Sequence, residues 1–98
     1  MTVLEKIREL VLADRVVYTY HLVNEKLAEI NLRRNLNLTE DDIDNVILTG
    51  EIVEVFENDE RGKRYAIQGF ALDNIASLEV ICRIENNLVI ITVYEPYF

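Results

Sequence analysis

The sequence predicts an α+β fold in which N-terminal helices pack on a four-stranded antiparallel sheet. Apolar residues in the first half, up to Gly50, recur at the three- and four-residue spacing of amphipathic helices. From Glu51 onwards the pattern changes to short apolar runs, several of them alternating with polar residues, separated by polar turns as in strands. Helices followed by strands are typical of α+β architecture. A length of 98 residues fits one domain, 1–98.

Two helices are predicted in the first third of the chain. The first covers residues 2–13, because Thr2 and Glu5 have the spacing of a capping box and apolar residues follow at helical spacing. The next run, 16–18, is β-branched and aromatic but too short to classify by periodicity. The second helix covers about residues 20–33, since its apolar and polar residues fall on opposite sides.

A third, shorter helix is predicted over residues 40–49. Thr39 is a good N-cap, and the three carboxylates after it lie where the helix dipole is positive. Gly50 follows the last residue of this helix, at the position where glycine often adopts a left-handed conformation. This glycine is therefore predicted to end the helical half of the chain.

Four strands are predicted after the helices, joined as a meander. They cover residues 51–56, 64–71, 77–84 and 88–94. The third strand alternates as a half-buried strand does, whereas the fourth is apolar on both sides. Strict alternation assigns Val89, Ile91 and Val93 to one face of the fourth strand and Leu88, Ile90, Thr92 and Tyr94 to the other. Such a strand needs cover on both faces, which makes a homodimer a hypothesis.

Composition and charge narrow the classes of function. With a net charge of −8, the chain is repelled by nucleic-acid phosphates unless its cations gather on one face. The single cysteine, Cys82, lies in an apolar strand pattern that is typical of a buried thiol. No apolar run approaches the ~18 residues of a membrane span, and no metal-binding spacing or Gly-rich phosphate loop occurs. We predict a cytoplasmic protein without cofactor, metal or membrane contact.

Three segments resemble a known bacterial family. His21 lies in the first turn of a helix, residues 46–54 read Val-Ile-Leu-Thr-Gly-Glu-Ile-Val-Glu, and residues 89–96 read Val-Ile-Ile-Thr-Val-Tyr-Glu-Pro. Over roughly residues 16–96 the chain resembles the DUF4258 family. The resemblance implies a fold similar to the RelE and BrnT toxins, which cleave RNA, with RNA or an antitoxin protein as partner. Glu79 stands where members of this family commonly carry a histidine in the third strand.

Seven residues are candidates for such a site. They are His21, Glu79 and Tyr94 for catalysis, and Arg33, Arg34, Tyr65 and Arg83 for substrate binding. RNA cleavage without a metal needs a base, a cation for the phosphate and an acid for the leaving oxygen. Each candidate also has a structural interpretation: a packed histidine at a helix start, arginines that complement a helix dipole, cross-strand ion pairs, or aromatic packing in strands.

Two functions follow as hypotheses. One is a toxin-type, metal-independent endoribonuclease or a degenerate relative of one. The other is a noncatalytic regulatory or protein-binding domain that homodimerises through its sheet. The basic cluster Arg61, Lys63 and Arg64 is interpreted as a solvated turn whose charge balances Glu57, Asp59 and Glu60.

Overall fold

The computed structural model describes residues 1–57, 60–74 and 76–96. Helices occupy much of the first half: α1 is Val3–Leu12, a π-helical segment His21–Leu27 continues directly as α2, Ala28–Arg34, and α3 is Glu40–Thr49. The strands are β1 Val16–Tyr18, β2 Glu51–Phe56, β3 Arg64–Phe70, β4 Ser77–Ile84 and β5 Leu88–Tyr94. The predicted α+β class is confirmed. The π-helical segment and α2 together are called the second helix below.

The sheet is larger than predicted and is mixed. Its order is β1-β5-β4-β3-β2, with antiparallel pairing from β2 to β5 and parallel pairing between β1 and β5. The prediction of four antiparallel strands was therefore wrong in the number of strands and in one pairing. β1 is only three residues long, and Val17 pairs with Val89 far along the chain. No local pattern reveals such a partner, because strand periodicity needs a longer run.

A bulge in β5 overturns the predicted division of its two faces. Ile91 is an extra residue, because its neighbours Ile90 and Thr92 pair with two consecutive residues of β4. The extra residue inverts the alternation, so Val93 is buried on the same face as Leu88 and Ile90. Strict alternation had assigned Val93 to the opposite face. The two-sided apolar pattern thus reflects, in part, a change of face along the strand.

The core lies between the helices and one face of the sheet. Fully buried side chains include Ile7, Leu22, Ile43 and Ile47 of the helices and Ile67, Leu78, Val80, Leu88 and Ile90 of the strands. Each contributes roughly 1.5–3 kcal/mol by leaving water. Within β4 the core residues Leu78, Val80 and Cys82 share one face as predicted. Ile81 and Arg83 on the other face are buried as well, so the prediction of a half-buried strand was wrong for this part of β4. The opposite side of the sheet is called the second face; it carries Gln68, Glu79, Arg83, Val89 and Tyr94.

The helix starts follow the sequence signals. The Thr2 hydroxyl accepts a hydrogen bond from the Glu5 backbone amide at 3.1 Å, and the predicted capping box is present. At α3, the backbone amide of Thr39 donates to Asp42 Oδ2 at 2.8 Å. In the described part of the chain, no helix is long and apolar enough to span a membrane.

Gly50 ends α3 for a different reason than predicted. Its φ of −91° is extended, so the predicted left-handed conformation was wrong. A Cβ at this position would lie 2.5 Å from the carbonyl oxygen of Val46 and closer still to that of Gln68. The close approach of α3 to β3 therefore requires glycine here. Left-handed residues instead follow α1 and α2, at Asp14 with φ 58° and at Asn35 with φ 52°.

Candidate functional site

A cleft of about 590 Å³ lies where the second helix meets the ends of β3, β4 and β5. We call it the helix–sheet cleft. Its polar lining includes Lys26, Arg33, Gln68, Glu79, Tyr94 and Glu95. Strand register explains why three of these residues lie together on the sheet wall of the cleft. Glu79 pairs with Gln68 on one neighbouring strand and with Tyr94 on the other. Directly paired residues have their side chains on the same face, so these three form one row.

The second helix supplies the other wall. Lys26, Glu29, Ile30 and Arg33 all line the cleft, and their spacing of three, four and seven residues places them on one helix face. The ammonium of Lys26 lies 5.8 Å from the centre of the Tyr94 ring. This distance is typical of a cation–π contact. The contact positions a positive charge above an aromatic ring that is 47% exposed.

Arg33 and Arg34 both bind the carboxylate of Glu95. Arg33 Nη2 donates to one oxygen of Glu95 and Arg34 Nη1 to the other, and Arg33 also lies 3.8 Å from Glu29. Burial acts to raise the pKa of Glu95, but the hydrogen bonds and charges of the two guanidinium groups outweigh it and lower the pKa. A negatively charged ligand at these arginines would therefore compete with an internal carboxylate.

Glu79 is the carboxylate at the floor of the cleft. It is half-buried, and Gln68 Nε2 donates a hydrogen bond to its Oε1 at 3.5 Å. Carboxylate, phenol, ammonium and guanidinium groups thus surround one cavity, and this set can accept a proton, donate one and bind an anion. The cleft is not strongly cationic, since Lys26 and Arg33 are accompanied by Glu79 and two further glutamates.

His21 lies outside the cleft lining. It is exposed in the first turn of the π-helical segment, with Nδ1 2.7 Å from Glu25 Oε2. A carboxylate on Nδ1 fixes the orientation of the ring. The structure therefore does not bring His21 together with Glu79 and Tyr94 in this cavity.

The remaining two candidates are also separated from the cleft. Tyr65 belongs to the core and pairs with Cys82. Arg83 is 8% exposed and lies at the other end of the second face, with Nε 3.3 Å from Glu85 Oε2. Of the seven candidates, Glu79, Tyr94 and Arg33 line one cavity, and Arg34 is joined to them through Glu95.

Sequence reasoning missed several residues of the cleft, among them Lys26, Gln68 and Glu95. Lys26 has the same helical spacing to Arg33 as residues that share a face, so the helix period contained a signal for it. Gln68 becomes visible only from the register between β3 and β4. Glu95 gave no signal, because its contact with Arg33 depends on how the chain end meets the second helix.

The family model for a domain of unknown function, DUF4258, matches residues 32–95, about two thirds of the chain. The chain belongs to the DUF4258 family. The matched segment contains Arg33, Glu79, Tyr94 and Glu95 of the cleft, whereas Lys26 precedes it. No curated protein and no solved structure matches the chain significantly. In the described ranges, no group of three or more His, Cys, Asp or Glu side chains could hold a metal ion.

Proposed function

We propose that this protein is a toxin-type ribonuclease, or a degenerate relative of one, that acts at the helix–sheet cleft. One observation carries the proposal: Glu79, Tyr94 and Arg33, which were selected from the sequence for RNA cleavage, line the same cavity. The resemblance of the family to RelE-like and BrnT-like toxins supports RNA cleavage as the reaction. Fold resemblance alone is weak evidence for activity, so the side chains must carry the argument.

The proposed reaction is metal-independent transfer of the phosphodiester to the neighbouring ribose hydroxyl. Glu79 accepts the proton of the 2′-hydroxyl, whose oxygen forms a bond to phosphorus while the bond to the 5′-oxygen breaks. Tyr94 donates a proton to that leaving oxygen. Lys26 and Arg33 stabilise the negative charge that develops on the phosphate. The products are a 2′,3′-cyclic phosphate and a 5′-hydroxyl end.

The experiment combines induced expression in a bacterial host with cleavage of RNA by the purified protein. We expect growth arrest and RNA fragments with cyclic phosphate ends. Glu79→Gln removes the base at nearly constant shape and should slow cleavage by about 10²-fold or more. The matched control is Glu9→Gln, because Glu9 is exposed in α1 and is not part of the cleft lining. Harmless expression together with intact RNA would contradict the proposal.

The predicted role of His21 is tested separately in the same assay. If His21 takes part in catalysis, His21→Ala should relieve the growth arrest although the histidine does not line the cleft. Glu25→Gln is the matching variant, since it removes the carboxylate that orients the ring and leaves the histidine in place. Full activity of His21→Ala would exclude the histidine from the catalytic group.

The second candidate is a noncatalytic domain that homodimerises through its sheet. It is favoured by Glu95, which holds Arg33 and Arg34, and by the glutamates that outnumber the cations in the cleft. Such an arrangement weakens phosphate binding. Sedimentation equilibrium at micromolar concentration should then give twice the chain mass of 11.4 kDa. A mass of one chain, combined with RNA cleavage, would contradict this candidate.

A further inference from the structure

A second pocket, of about 750 Å³, lies at the opposite end of the second face, beside the turn between β2 and β3. We call it the hairpin pocket. Arg61, Arg64 and Arg83 line it together with Phe56, Glu57 and Glu60. Among these described residues three arginines and two carboxylates line the pocket, so cations gather here in a chain of net charge −8. This gathering of cations is what an acidic protein needs in order to bind an anion.

Arg83 is the unusual member of the hairpin pocket. Its side chain is nine-tenths buried, and in the described part of the chain its guanidinium bonds one carboxylate, that of the half-exposed Glu85. Removing a guanidinium from water is costly unless its N–H groups find acceptors. A guanidinium has five N–H donors, so one carboxylate leaves donor capacity for a ligand oxygen.

Arg64 is held against an aromatic ring. The centre of its guanidinium lies 5.2 Å from the centre of the Phe56 ring. Stacking of this kind fixes the plane of the guanidinium, and a fixed planar fork matches the oxygen geometry of a phosphate. The hairpin pocket thus combines a buried arginine, a stacked arginine and a third arginine, Arg61, on the turn.

We propose that the hairpin pocket binds a phosphate of single-stranded RNA whose cleavage site lies in the helix–sheet cleft. The inference rests on the proposed function, because it assigns the substrate of that cleft. Glu79 and Arg83 lie on the same side of β4, four residues apart, which corresponds to about 13 Å along the strand. The side chains of Ala66, Ile81 and Thr92 lie between the two cavities on the second face. All three are buried, at 0–6% exposure, so a strand that reaches both cavities passes over the side chains that cover them.

An exposed aromatic ring favours a polynucleotide over an acidic peptide in this position. Glu29, Glu79 and Glu95 of the helix–sheet cleft repel phosphates and peptide carboxylates alike, so charge does not separate the two ligands. A ribonucleotide strand instead alternates phosphates with bases, and the exposed ring of Tyr94 offers a base a stacking surface. The arginines thus suit the phosphates of an RNA strand, and the tyrosine suits one of its bases.

The test measures binding of a fluorescent single-stranded RNA octamer to the full chain carrying Glu79→Gln, in which cleavage is slowed. In this background, Arg83→Gln should weaken binding about tenfold, the loss of one charged hydrogen-bonding group. The slope of log affinity against log salt should become shallower by about 0.7, the value of one phosphate contact on a single strand. Lys6→Gln removes the same charge from α1 and should leave both quantities unchanged.

A second variant separates the loss of a phosphate contact from misfolding, because Arg83 is buried and its replacement can destabilise the fold. Arg61→Gln changes an exposed turn residue, and it should weaken binding in the same direction. The thermal unfolding midpoint checks that this variant remains folded. If Arg61→Gln and a folded Arg83→Gln both bind RNA like Lys6→Gln, the inference is overturned. Tighter binding of an acidic octapeptide than of the RNA also overturns it.

The failure of this inference can be told apart from failure of the proposed function. Arginine-dependent RNA binding without cleavage by the unaltered protein would contradict the ribonuclease and support the hairpin pocket. Cleavage that is insensitive to Arg83→Gln and Arg61→Gln, at RNA concentrations below saturation, would contradict the hairpin pocket and support the ribonuclease.

Discussion

At the scale of single residues, Glu95 joins the end of the sheet to the second helix. Its carboxylate accepts hydrogen bonds from Arg33 and Arg34, and these bonds lower its pKa against the opposing effect of burial. A carboxyl with a lowered pKa in the folded state stabilises the protein above its ordinary pKa of 4.5. That contribution is lost as pH falls through the lowered value.

Glu95→Gln should therefore lower the free energy of unfolding at neutral pH by about 1 kcal/mol, the scale of a well-formed surface ion pair. The difference from the unaltered protein should shrink as the pH falls below 4.5 and Glu95 becomes protonated. Urea unfolding at several pH values measures both effects. Glu5→Gln, a change in an exposed capping box of α1, serves as a comparison that leaves the helix–sheet contact intact. A difference independent of pH would contradict the ion-pair interpretation.

Tyr18 and Asp44 form a second pair of coupled groups, between β1 and α3. The Tyr18 hydroxyl donates to Asp44 Oδ1. Burial is the largest cause that raises the pKa of Asp44, and the bond from Tyr18 acts against it. Burial likewise raises the pKa of Tyr18, followed by the hydrogen bond to Asp44, so the phenol stays protonated and can donate.

Tyr18→Phe should cost about 1 kcal/mol of stability at neutral pH, because the half-buried carboxylate of Asp44 loses its donor. The pKa of Asp44 should rise further, and the cost should diminish in acid, where the carboxyl is neutral. Urea unfolding of the variant and the unaltered protein at neutral and acid pH measures this difference in the free energy of unfolding. Equal stability at neutral pH would mean that water replaces the tyrosine without loss.

At the scale of elements, the contact of α3 with the sheet depends on two glycines. A Cβ on Gly69 of β3 would lie 2.8 Å from the carbonyl oxygen of Val46 and 3.0 Å from Cα of Gly50. Gly50 is even more tightly surrounded, by backbone atoms that cannot rotate away. The helix therefore approaches the strand more closely than residues with side chains would allow.

Gly50→Ala should destabilise the protein by about 3 kcal/mol or more, because α3 and β3 must move apart to admit the methyl group. Gly62→Ala is the matched control. Gly62 has a φ of +101° with open space around its Cβ position, so alanine there costs only the backbone strain of about 1 kcal/mol. Thermal and urea unfolding compare the two. A smaller cost at Gly50 than at Gly62 would show that the helix–sheet contact adapts easily.

At the scale of the whole molecule, Cys82 reports on the stability of the complete sheet. It is fully buried in β4, the central strand, and burial raises its pKa to about 12. A thiol reacts as the thiolate and needs access, so Cys82 becomes reactive only when the sheet opens.

A thiol reagent should therefore modify the folded protein at least about 10³-fold more slowly than the protein in urea, if global stability exceeds 5 kcal/mol. The protection should fall in parallel with the free energy of unfolding in Gly50→Ala, because the same opening exposes the thiol. Mass spectrometry follows the modification. Rapid labelling of the folded protein would reveal local opening at β4 without unfolding of the core.

Several features of the candidate site were accessible from sequence, and their arrangement was not. The residue types suited to phosphate chemistry were recognised, and Glu79, Tyr94 and Arg33 do line one cavity. The same reasoning grouped Arg83 with Glu79, since they share one side of a strand, although they lie four positions apart along it. Tyr65 was selected for its aromatic ring, but the alternation of β3 directs it into the core. Spacing along a strand indicates the face and gives no information about which neighbouring elements enclose it.

The sequence by itself determined the α+β class, the helix caps at Thr2 and Thr39 and the four strands of the meander, because each depends on residues a few positions apart. The tertiary structure decided the parallel pairing of β1 with β5, the bulge at Ile91 and the contact of Glu95 with the second helix. These features depend on pairings between distant segments, whose free energy comes from the packed sheet and helices together. Local periodicity of the sequence does not predict them.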